Sequence, residues 1–466
     1  MGNRKELLSR TTELAADFLD RLPERPVATP VDLAALREAL GGPMPDRGED
    51  PRRVIEVLAS DVEGGLVGSA GPRYFGFVVG GGVPAALAAD WLASAWDQNA
   101  GLYALSPSAA VVEEVAGAWL IDLFGLPEAS SIGFVTGATM ANFTALAAAR
   151  HAVLERVGCK VEEEGLVGAP PIAVIVGEEA HVTIFASLQM LGLGRARVHR
   201  VAADEQGRMR ADALRETLPG IDGPTIVCAQ AGNVNTGAFD PLPEIATAVR
   251  KRPNAWLHVD GAFGLWAAAV PELRDRVAGL AEADSWTTDA HKWLNVPYDS
   301  GIVIVRDAAP HHAAMTLGAA YYVESAGGER DSYNWVPESS RRARGFAVYA
   351  ALRSLGRIGL AEMIGRCCAL ARRIADGLRV AEGVTILNDV VLNQVLVRFE
   401  RPGGGDGDAF TRAVIAAVQA DGTCWLGGTT WHGMAAMRIS VSNWSTTEAD
   451  ADMSVEAILR CAREAA

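Results

Sequence analysis

The sequence predicts an α/β fold with a mostly parallel seven-stranded sheet and helices on both faces. The first observation is a series of seven short apolar runs, each as long as a buried strand, that alternate with stretches of helical spacing. The second is the length of 466 residues, which is too great for one simple core. The predicted strands are 132–135, 172–176, 197–201, 225–229, 256–259, 284–288 and 302–305.

Helical segments precede this region. Residues 5–22 and 30–40 have helical apolar spacing, and a linker rich in proline or glycine follows each of them. We therefore predict an N-terminal helical arm over residues 1–72. An arm too small to bury its own apolar face packs on a neighbour, which is either the rest of its own chain or a second subunit.

Two domains are predicted after the arm. A large domain over residues 73–335 contains the seven strands, and a small C-terminal α+β domain covers residues 336–466. The small domain begins with a long helical region at 346–378. Its predicted strands are 394–399 and 437–441.

The composition is that of an ordinary globular protein, with 49% hydrophobic and 21% charged residues. A net charge of −15 argues against nucleic acid or an anionic membrane surface as a partner, because both attract basic patches. The most apolar window, 75–96, contains three consecutive glycines, a proline and Asp90, so we expect no membrane span. The six cysteines show no CxxC pair or other metal-binding spacing, which predicts reduced thiols, a cytoplasmic protein and no metal site.

Candidate functional residues follow four of the predicted strands. In a sheet of this type, ligands bind outside the carboxyl ends of the strands. The glycine turn at 136–139 precedes a strong helix-forming stretch, and a helix N-terminus suits a phosphate. His181, Asp260 and Lys292 follow three other strands, and Lys292 lies between a histidine and a tryptophan.

Each of these signals also has a structural explanation when it is taken alone. A glycine turn is common before a helix, Asp260 could cap a turn, and Lys292 could cover apolar surface with its stem. Four signals at one edge of one sheet favour a functional site instead. Together they match pyridoxal 5'-phosphate (PLP), whose aldehyde needs an amine, whose phosphate needs a helix N-terminus and whose ring nitrogen needs an anionic partner.

Six short motifs carry a resemblance to a known family. They are Tyr-Phe-Gly-Phe at 74–77, Leu-Ser-Pro at 105–107, Glu-Ala-His at 179–181, Asn-Thr-Gly-Ala-Phe-Asp-Pro-Leu at 235–242, His-Val-Asp-Gly-Ala at 258–262 and Asp-Ala-His-Lys-Trp-Leu at 289–294. From about residue 73 to residue 443, the chain resembles the PLP-dependent amino-acid decarboxylases of the aromatic amino acid and glutamate decarboxylase group. This group belongs to the aspartate aminotransferase superfamily, so the resemblance implies the type I PLP-dependent transferase fold.

The resemblance implies a role for each matching residue. Lys292 would bond the cofactor aldehyde, Asp260 would pair with the ring nitrogen, and His181 would stack on the ring and help orient the substrate carboxylate. Asn235 stands where the family often has threonine near the ring hydroxyl. The full implied cofactor set is Ala138, Thr139, His181, Asn235, Asp260, Ala262, His291 and Lys292, in which Ala138 and Thr139 bind the phosphate with His291 close by.

One neighbouring residue is left out of the phosphate set. Asp289 occupies a position where some relatives place asparagine beside the phosphate. An anion next to an anion is unfavourable unless it faces a donor, so Asp289 is not expected to bind phosphate.

The resemblance also implies where the substrate binds. Phe77 and Val78 correspond to one wall of the pocket in relatives, and Leu102 and Tyr103 to another wall that a second subunit often supplies. Because these segments are apolar, they favour an aromatic or aliphatic side chain. Arg438 resembles an arginine that binds a carboxylate in part of the superfamily, although a structural ion pair would explain it equally well.

A loop tyrosine decides the reaction type. In decarboxylases of this group, such a tyrosine returns a proton to the α-carbon after carbon dioxide leaves, and phenylalanine there marks relatives that make aldehydes. Tyr321 matches by its spacing from Lys292, with Tyr322 as the alternate and loop packing as the structural explanation.

We therefore predict an enzyme that decarboxylates an aromatic or apolar L-amino acid to the amine and carbon dioxide. Its catalytic residues would be Lys292, His181, Tyr321 and Asp260, and it would be a homodimer with active sites at the interface. The alternatives are PLP-dependent oxidative deamination to an aldehyde, transamination, and a non-catalytic scaffold relative.

Overall fold

The computed structural model describes residues 4–316 and 328–466. Its backbone divides into two units, each built around one β-sheet. The central unit comprises Gly80–Ala371 and Asn388–Gln394. The terminal unit comprises the chain up to Val79 together with Arg372–Leu387 and Val395–Ala466. The domain boundaries at residues 72 and 335 remain a prediction.

Eleven strands and fourteen helices are formed by the described residues. The strands are β1 (Ser131–Val135), β2 (Ala173–Gly177), β3 (His199–Val201), β4 (Thr225–Gln230), β5 (Ala255–Asp260), β6 (Ser285–Asp289), β7 (Gly301–Val305), β8 (Val384–Ile386), β9 (Gln394–Phe399), β10 (Gly427–Trp431) and β11 (Met434–Ser440). The helices are α1 (Arg4–Arg21), α2 (Leu33–Leu40), α3 (Pro51–Val62), α4 (Pro84–Trp96), α5 (Pro107–Leu123), α6 (Ala138–Glu155), α7 (Val161–Glu164), α8 (Val182–Met190), α9 (Ala211–Thr217), α10 (Leu242–Arg250), α11 (Ala308–Met315), α12 (Gly345–Arg379), α13 (Gly407–Asp421) and α14 (Glu448–Glu464).

The seven-stranded sheet of the central unit has the order β1-β7-β6-β5-β4-β2-β3. The pairs between β6 and β3 are parallel, whereas β7 is antiparallel to both β1 and β6. The prediction of a mostly parallel seven-stranded sheet is confirmed. β7 runs the other way because residues 290–300 between β6 and β7 are too few for the helical crossover that parallel neighbours require.

The apolar runs become strands because the sheet buries them. Every residue of β1, β4, β6 and β7 is buried, as expected for strands without a solvent-facing side. The alanine-rich helix α6 lies against β5, β6 and β7, since its small side chains allow close approach. This contact fixes the start of α6 relative to the carboxyl ends of the central strands.

The terminal unit contains the three arm helices, α13, α14 and a four-stranded sheet of order β10-β11-β9-β8. The predicted strands 394–399 and 437–441 correspond to β9 and β11. Strands β8 and β10 carry too weak a pattern to be predicted, because β8 has three residues and β10 begins with two glycines. Helix α3, which was not predicted separately, lies within the predicted N-terminal arm. Among the described residues, no helix combines the length and apolar character needed to cross a membrane.

Candidate active site

Lys292 lies in the turn that follows β6. Its Nζ is 3.1 Å from Oδ2 of Asp289, and both side chains are largely buried. The turn passes so close to Gly80 that a Cβ there would lie 1.8 Å from the Lys292 carbonyl oxygen. Only glycine fits at position 80, so the backbone of the lysine turn is held by direct contact.

The glycine turn between β1 and α6 lies beside Lys292. Gly137 precedes the first helical residue, and Ala138 N donates a hydrogen bond of 2.6 Å to Oδ1 of Asp289. Gly301, at the start of β7, must be glycine because a Cβ there would lie 2.4 Å from Gly137 Cα. The glycine turn at 136–139, predicted to bind phosphate, and Lys292 therefore lie on opposite sides of the Asp289 carboxylate.

His291 completes this cluster. Its Nε2 lies 3.5 Å from Oδ1 of Asp289, and its Nδ1 accepts a 3.2 Å hydrogen bond from Ser300 N. Burial lowers the pKa of His291, so the neutral ring carries its proton on Nε2, facing Asp289. Tyr298 stacks on the imidazole at 4.4 Å between ring centroids and fixes its plane.

Asp260 ends the neighbouring strand β5 and is 4% exposed. Its Oδ1 accepts a hydrogen bond of 3.1 Å from Ala262 N, and its Oδ2 accepts one of 3.3 Å from Asn142 Nδ2. The Ala262 carbonyl in turn accepts a 2.8 Å hydrogen bond from Asp289 N. Ala262 thus joins the Asp260 turn to the lysine cluster.

His181 begins α8, where its Nδ1 lies 2.8 Å from Thr183 Oγ1. His181 and Asp260 line one cavity together with Gly177, Ala229 and other residues at the ends of β2 and β4. Two of the residues predicted for the cofactor ring therefore lie close together, on a cavity of only about 10 Å³ that has room for about one water molecule.

Asn235 and Thr139 lie on adjoining segments of the central unit. Asn235 is buried in the loop after β4, where its N–H donates to Asn233 Oδ1 at 2.8 Å. Asn233 Nδ2 reaches the Glu179 carbonyl at 3.4 Å, two residues before His181. The Thr139 carbonyl accepts a 3.2 Å hydrogen bond from Ser187 Oγ of α8.

The predicted substrate residues are distributed over both units. In the central unit, Leu102 and Tyr103 precede α5, and Tyr103 N donates to Asp331 Oδ1 at 2.8 Å. In the terminal unit, Phe77 and Val78 both have left-handed backbones, with φ of 53° and 60°. Burial lowers the pKa of Arg438 on β11. Tyr321 and Tyr322 lie outside the described residues.

The structure connects two residues to these positions that the sequence did not single out, and it gives a donor to a third. Asp289 was set aside because an anion beside the phosphate is unfavourable unless it faces a donor, and in the structure it accepts the first backbone N–H of α6. Asn142 contacts Asp260 from α6. In the terminal unit, Trp425 stacks on Tyr74 with 5.0 Å between ring centroids, and Phe77 packs against Trp425 in a tilted arrangement at 5.5 Å. For Asn142, the one available signal in the sequence was a polar residue inside an alanine-rich helix.

The model of the pyridoxal-dependent decarboxylase conserved domain matches residues 34–400. The chain belongs to this family. It is a PLP-dependent enzyme that decarboxylates an L-amino acid, as the sequence predicted. The donor set fits the cofactor, because an amine, an imidazole, a carboxylate and a helix N-terminus lie at one edge of the sheet.

Two named relatives and one solved structure are similar to this chain over most of its length. It is 33% identical to the L-2,4-diaminobutyrate decarboxylase of Rhizobium meliloti, over 81% of this chain and 75% of the relative. It is 27% identical to the aromatic-L-amino-acid decarboxylase of Bacillus atrophaeus, over 85% of this chain and 81% of the relative. The structure of Oryza sativa TDC with PLP and tryptamine superposes with a TM-score of 0.91 at 24% identity, covering 99% of this chain and 97% of that one, which shows the shared fold.

Proposed function

We propose that the enzyme converts an aromatic or apolar L-amino acid to the corresponding amine and carbon dioxide. The observation that carries the substrate class is the cluster of aromatic rings of Tyr74, Trp425 and Phe77 in the terminal unit. The Phe77 side chain is 62% exposed. Its backbone has a left-handed φ of 53°, which is unfavourable for a side chain of this size. An exposed aromatic ring kept in that conformation supports recognition of an apolar or aromatic group.

Several residues of the site are proposed to hold the cofactor and substrate. Lys292 would bond the cofactor aldehyde through the amine that lies 3.1 Å from Asp289. Asp260 would pair with the ring nitrogen, and His181, which borders the same cavity, would cover the ring face and orient the substrate carboxylate. When bound, PLP supplies a ring that takes up the electron pair of the bond to the carboxylate. The backbone N–H groups of Ala138 and Thr139 at the start of α6 would hold the phosphate with His291 beside them, and the phosphate would take the place of the Asp289 carboxylate at Ala138 N.

Tyr321 is proposed to return the proton to the substrate α-carbon. The reaction then ends in an amine, because a carbon that has regained a proton no longer reacts with oxygen to give an aldehyde. Tyr322 is the alternate donor.

A homodimer is the proposed assembly. Within α1, α2 and α3, all of which the structure describes, no residue is buried. The arm nevertheless exposes large apolar side chains, which a second copy of the chain would cover. They include Leu8, Leu19, Leu33, Leu40, Val54, Val57 and Leu58. We also propose a cytoplasmic location, which the six free cysteines support.

The substrate class is tested with the purified enzyme and a panel of amino acids. Amine, aldehyde and peroxide are measured with tryptophan, phenylalanine, leucine, 2,4-diaminobutyrate and glutamate as substrates. We expect amine from the aromatic or aliphatic members, with the greatest kcat/KM among them. Preference for diaminobutyrate or glutamate would contradict the substrate proposal, and aldehyde with peroxide in place of amine would contradict the role of Tyr321. Light scattering of the full chain tests the dimer.

A further inference from the structure

The side chain of Asn142 is a hub of hydrogen bonds under the cofactor site. It is fully buried on the face of α6 that meets the central strands. Its Nδ2 lies 3.3 Å from Asp260 Oδ2 and 3.2 Å from Thr183 Oγ1. Its Oδ1 lies 2.8 Å from Thr287 Oγ1 and 2.9 Å from His258 Nε2. One amide therefore uses its full capacity of two donors and two acceptor sites.

The hydrogen bonds behind Asn142 have one direction. Trp256 Nε1, which can only donate, lies 2.8 Å from Ser285 Oγ, and this hydroxyl lies 2.9 Å from His258 Nδ1. Burial lowers the pKa of His258 to about 3, so the ring is neutral and has one proton. The Asp260 carboxylate accepts, so the NH2 group of Asn142 faces it and Oδ1 faces His258. The His258 proton therefore resides on Nε2 and is donated to Oδ1, and Nδ1 accepts from the Ser285 hydroxyl.

The Asp260 carboxylate fixes the orientation of the amide. His258 and Thr287 therefore both donate to Oδ1, and the NH2 group faces the other two partners. Asp260 accepts one of its protons, so the chain of donors that begins at Trp256 ends on the Asp260 carboxylate. A rotated amide would break the bonds to Asp260, His258 and Thr287 together.

The second proton of the amide leads to His181. Thr183 Oγ1 accepts from Asn142 and donates to His181 Nδ1 at 2.8 Å, and Thr183 N approaches the same nitrogen at 3.4 Å. Both groups are donors, so Nδ1 of His181 is an acceptor and the ring proton lies on Nε2. The same amide thus sets the position of one ring-facing group and the tautomer of the other.

We propose that Asn142 is the positioning residue for the cofactor ring, because it aligns Asp260 directly and His181 through Thr183. This inference rests on the proposed roles of Asp260 and His181. Asn142 itself contacts neither substrate nor cofactor in this assignment. Its effect is to remove the rotational freedom of the two side chains before the ring binds, which improves affinity without a new contact.

The test uses Asn142→Asp, which keeps the size and shape of the side chain. His258 and Thr287 can each donate to a carboxylate oxygen as they do to the amide. The contact with Asp260 changes from attraction to repulsion, and Thr183 can donate its single hydroxyl proton either to the new carboxylate or to His181, so the substitution disturbs both branches. The affinity of the apoenzyme for PLP is measured by tryptophan fluorescence, and the absorbance of the bound cofactor is recorded from pH 6 to pH 9. We expect an affinity at least about tenfold weaker and an altered pH dependence of the absorbance.

Thr144→Val is the matched control. Thr144 is buried on the same helix, and its Oγ1 bonds only the Met140 carbonyl of its own helix at 2.8 Å. We expect the PLP affinity of this variant to stay within about twofold of wild type. An equal loss in Thr144→Val and Asn142→Asp would overturn the proposal, because it would attribute both effects to the packing of α6.

A double-mutant cycle with Asp260→Asn separates this proposal from the proposed role of Asp260. Asp260→Asn alone should weaken PLP binding; no effect would refute the role of Asp260. If that role holds, Asn142→Asp should cost less affinity in the Asp260→Asn background than in wild type, and the remaining loss is the part that acts through Thr183 and His181. Full additivity of the two losses would mean that Asn142 does not act through Asp260.

Thr183→Val provides a second measurement if Asn142→Asp yields no folded protein. This variant removes the hydroxyl that links Asn142 to His181 and leaves the Asn142–Asp260 contact in place. Its loss of PLP affinity should therefore persist in the Asp260→Asn background. Wild-type affinity and absorbance in Thr183→Val would overturn the role of Asn142 in holding His181.

Discussion

The buried ion pair between Glu113 and Arg341 allows a quantitative prediction about the central unit. Arg341 Nη1 lies 2.6 Å from Glu113 Oε1, and the side chains are 0% and 2% exposed. Arg341 also donates to the carbonyls of Ala100 at 2.8 Å and Phe134 at 2.6 Å. Phe134 belongs to β1, three residues before Gly137, so this guanidinium supports the strand that leads into the phosphate turn.

A second buried arginine makes the charge of Glu113 more important. Burial lowers the pKa of Arg330 to about 10, the nearby Glu113 opposes this effect, and Arg341 adds to it. Removing the carboxylate would leave two buried guanidinium groups without their shared anion. Breaking a buried pair in this way typically costs about 3–5 kcal/mol.

We therefore expect Glu113→Gln to lower the free energy of unfolding of the apoenzyme by about 3–5 kcal/mol. Urea unfolding followed by tryptophan fluorescence measures it. The matched control is Asp90→Asn, which breaks the exposed ion pair between Asp90 and Arg342 at 2.7 Å and should cost about 1 kcal/mol or less. If Glu113→Gln lowers the free energy of unfolding by less than about 1 kcal/mol, water reaches the two arginines and the Glu113–Arg341 pair does not behave as a buried ion pair.

Three further predictions concern the site and the pH dependence. Asp289→Asn removes a negative charge from the N-terminus of α6, so the apoenzyme should bind inorganic phosphate at least about threefold more tightly. Weaker binding in a phosphate titration would show that Asp289 does not compete with phosphate for this helix N-terminus. Burial lowers the pKa of His311 to about 3, whereas the unfolded-state pKa is near 6.5, so the contribution of this residue to stability is present above about pH 6.5 and is lost as the pH falls towards 3. His311→Asn should therefore make the free energy of unfolding fall less steeply as the pH is lowered. An unchanged acid dependence would contradict this. Tyr321→Phe should divert product from amine to aldehyde, whereas unchanged amine output, with loss only in Tyr322→Phe, would identify Tyr322 as the donor.

The fold was predictable because burial imposes a simple pattern on the sequence. A strand covered on both sides is a short continuous apolar run, and each of the seven runs became a strand with ends within about two residues of the prediction. The elements that were missed, such as β8 and β10, are short or glycine-containing. Their strand state comes from pairing with β9 and β11, which local composition does not encode.

The candidate site was predictable to a similar extent for the same reason. Lys292, Asp260 and the Gly137 turn follow separate strands, and the rule that ligands bind at strand carboxyl ends brings them together without coordinates. Their contacts were not predictable. Asp289 had been set aside because an anion needs a donor, and only the folded chain supplies that donor from α6, which begins at Ala138.

Residue patterns were enough to predict the α/β class, the order of the central strands and helices, the cofactor and the type of reaction. They were enough because periodicity and a few reactive side chains are properties of short segments. Which groups hold those side chains in place depends on the folded chain. Asn142 is more than a hundred residues away from Asp260 and His258 along the chain, and it meets them only because α6 packs across β5 and β6. Hydrogen bonds of this kind depend on distances and directions between distant segments, and these exist only once the sheet has formed.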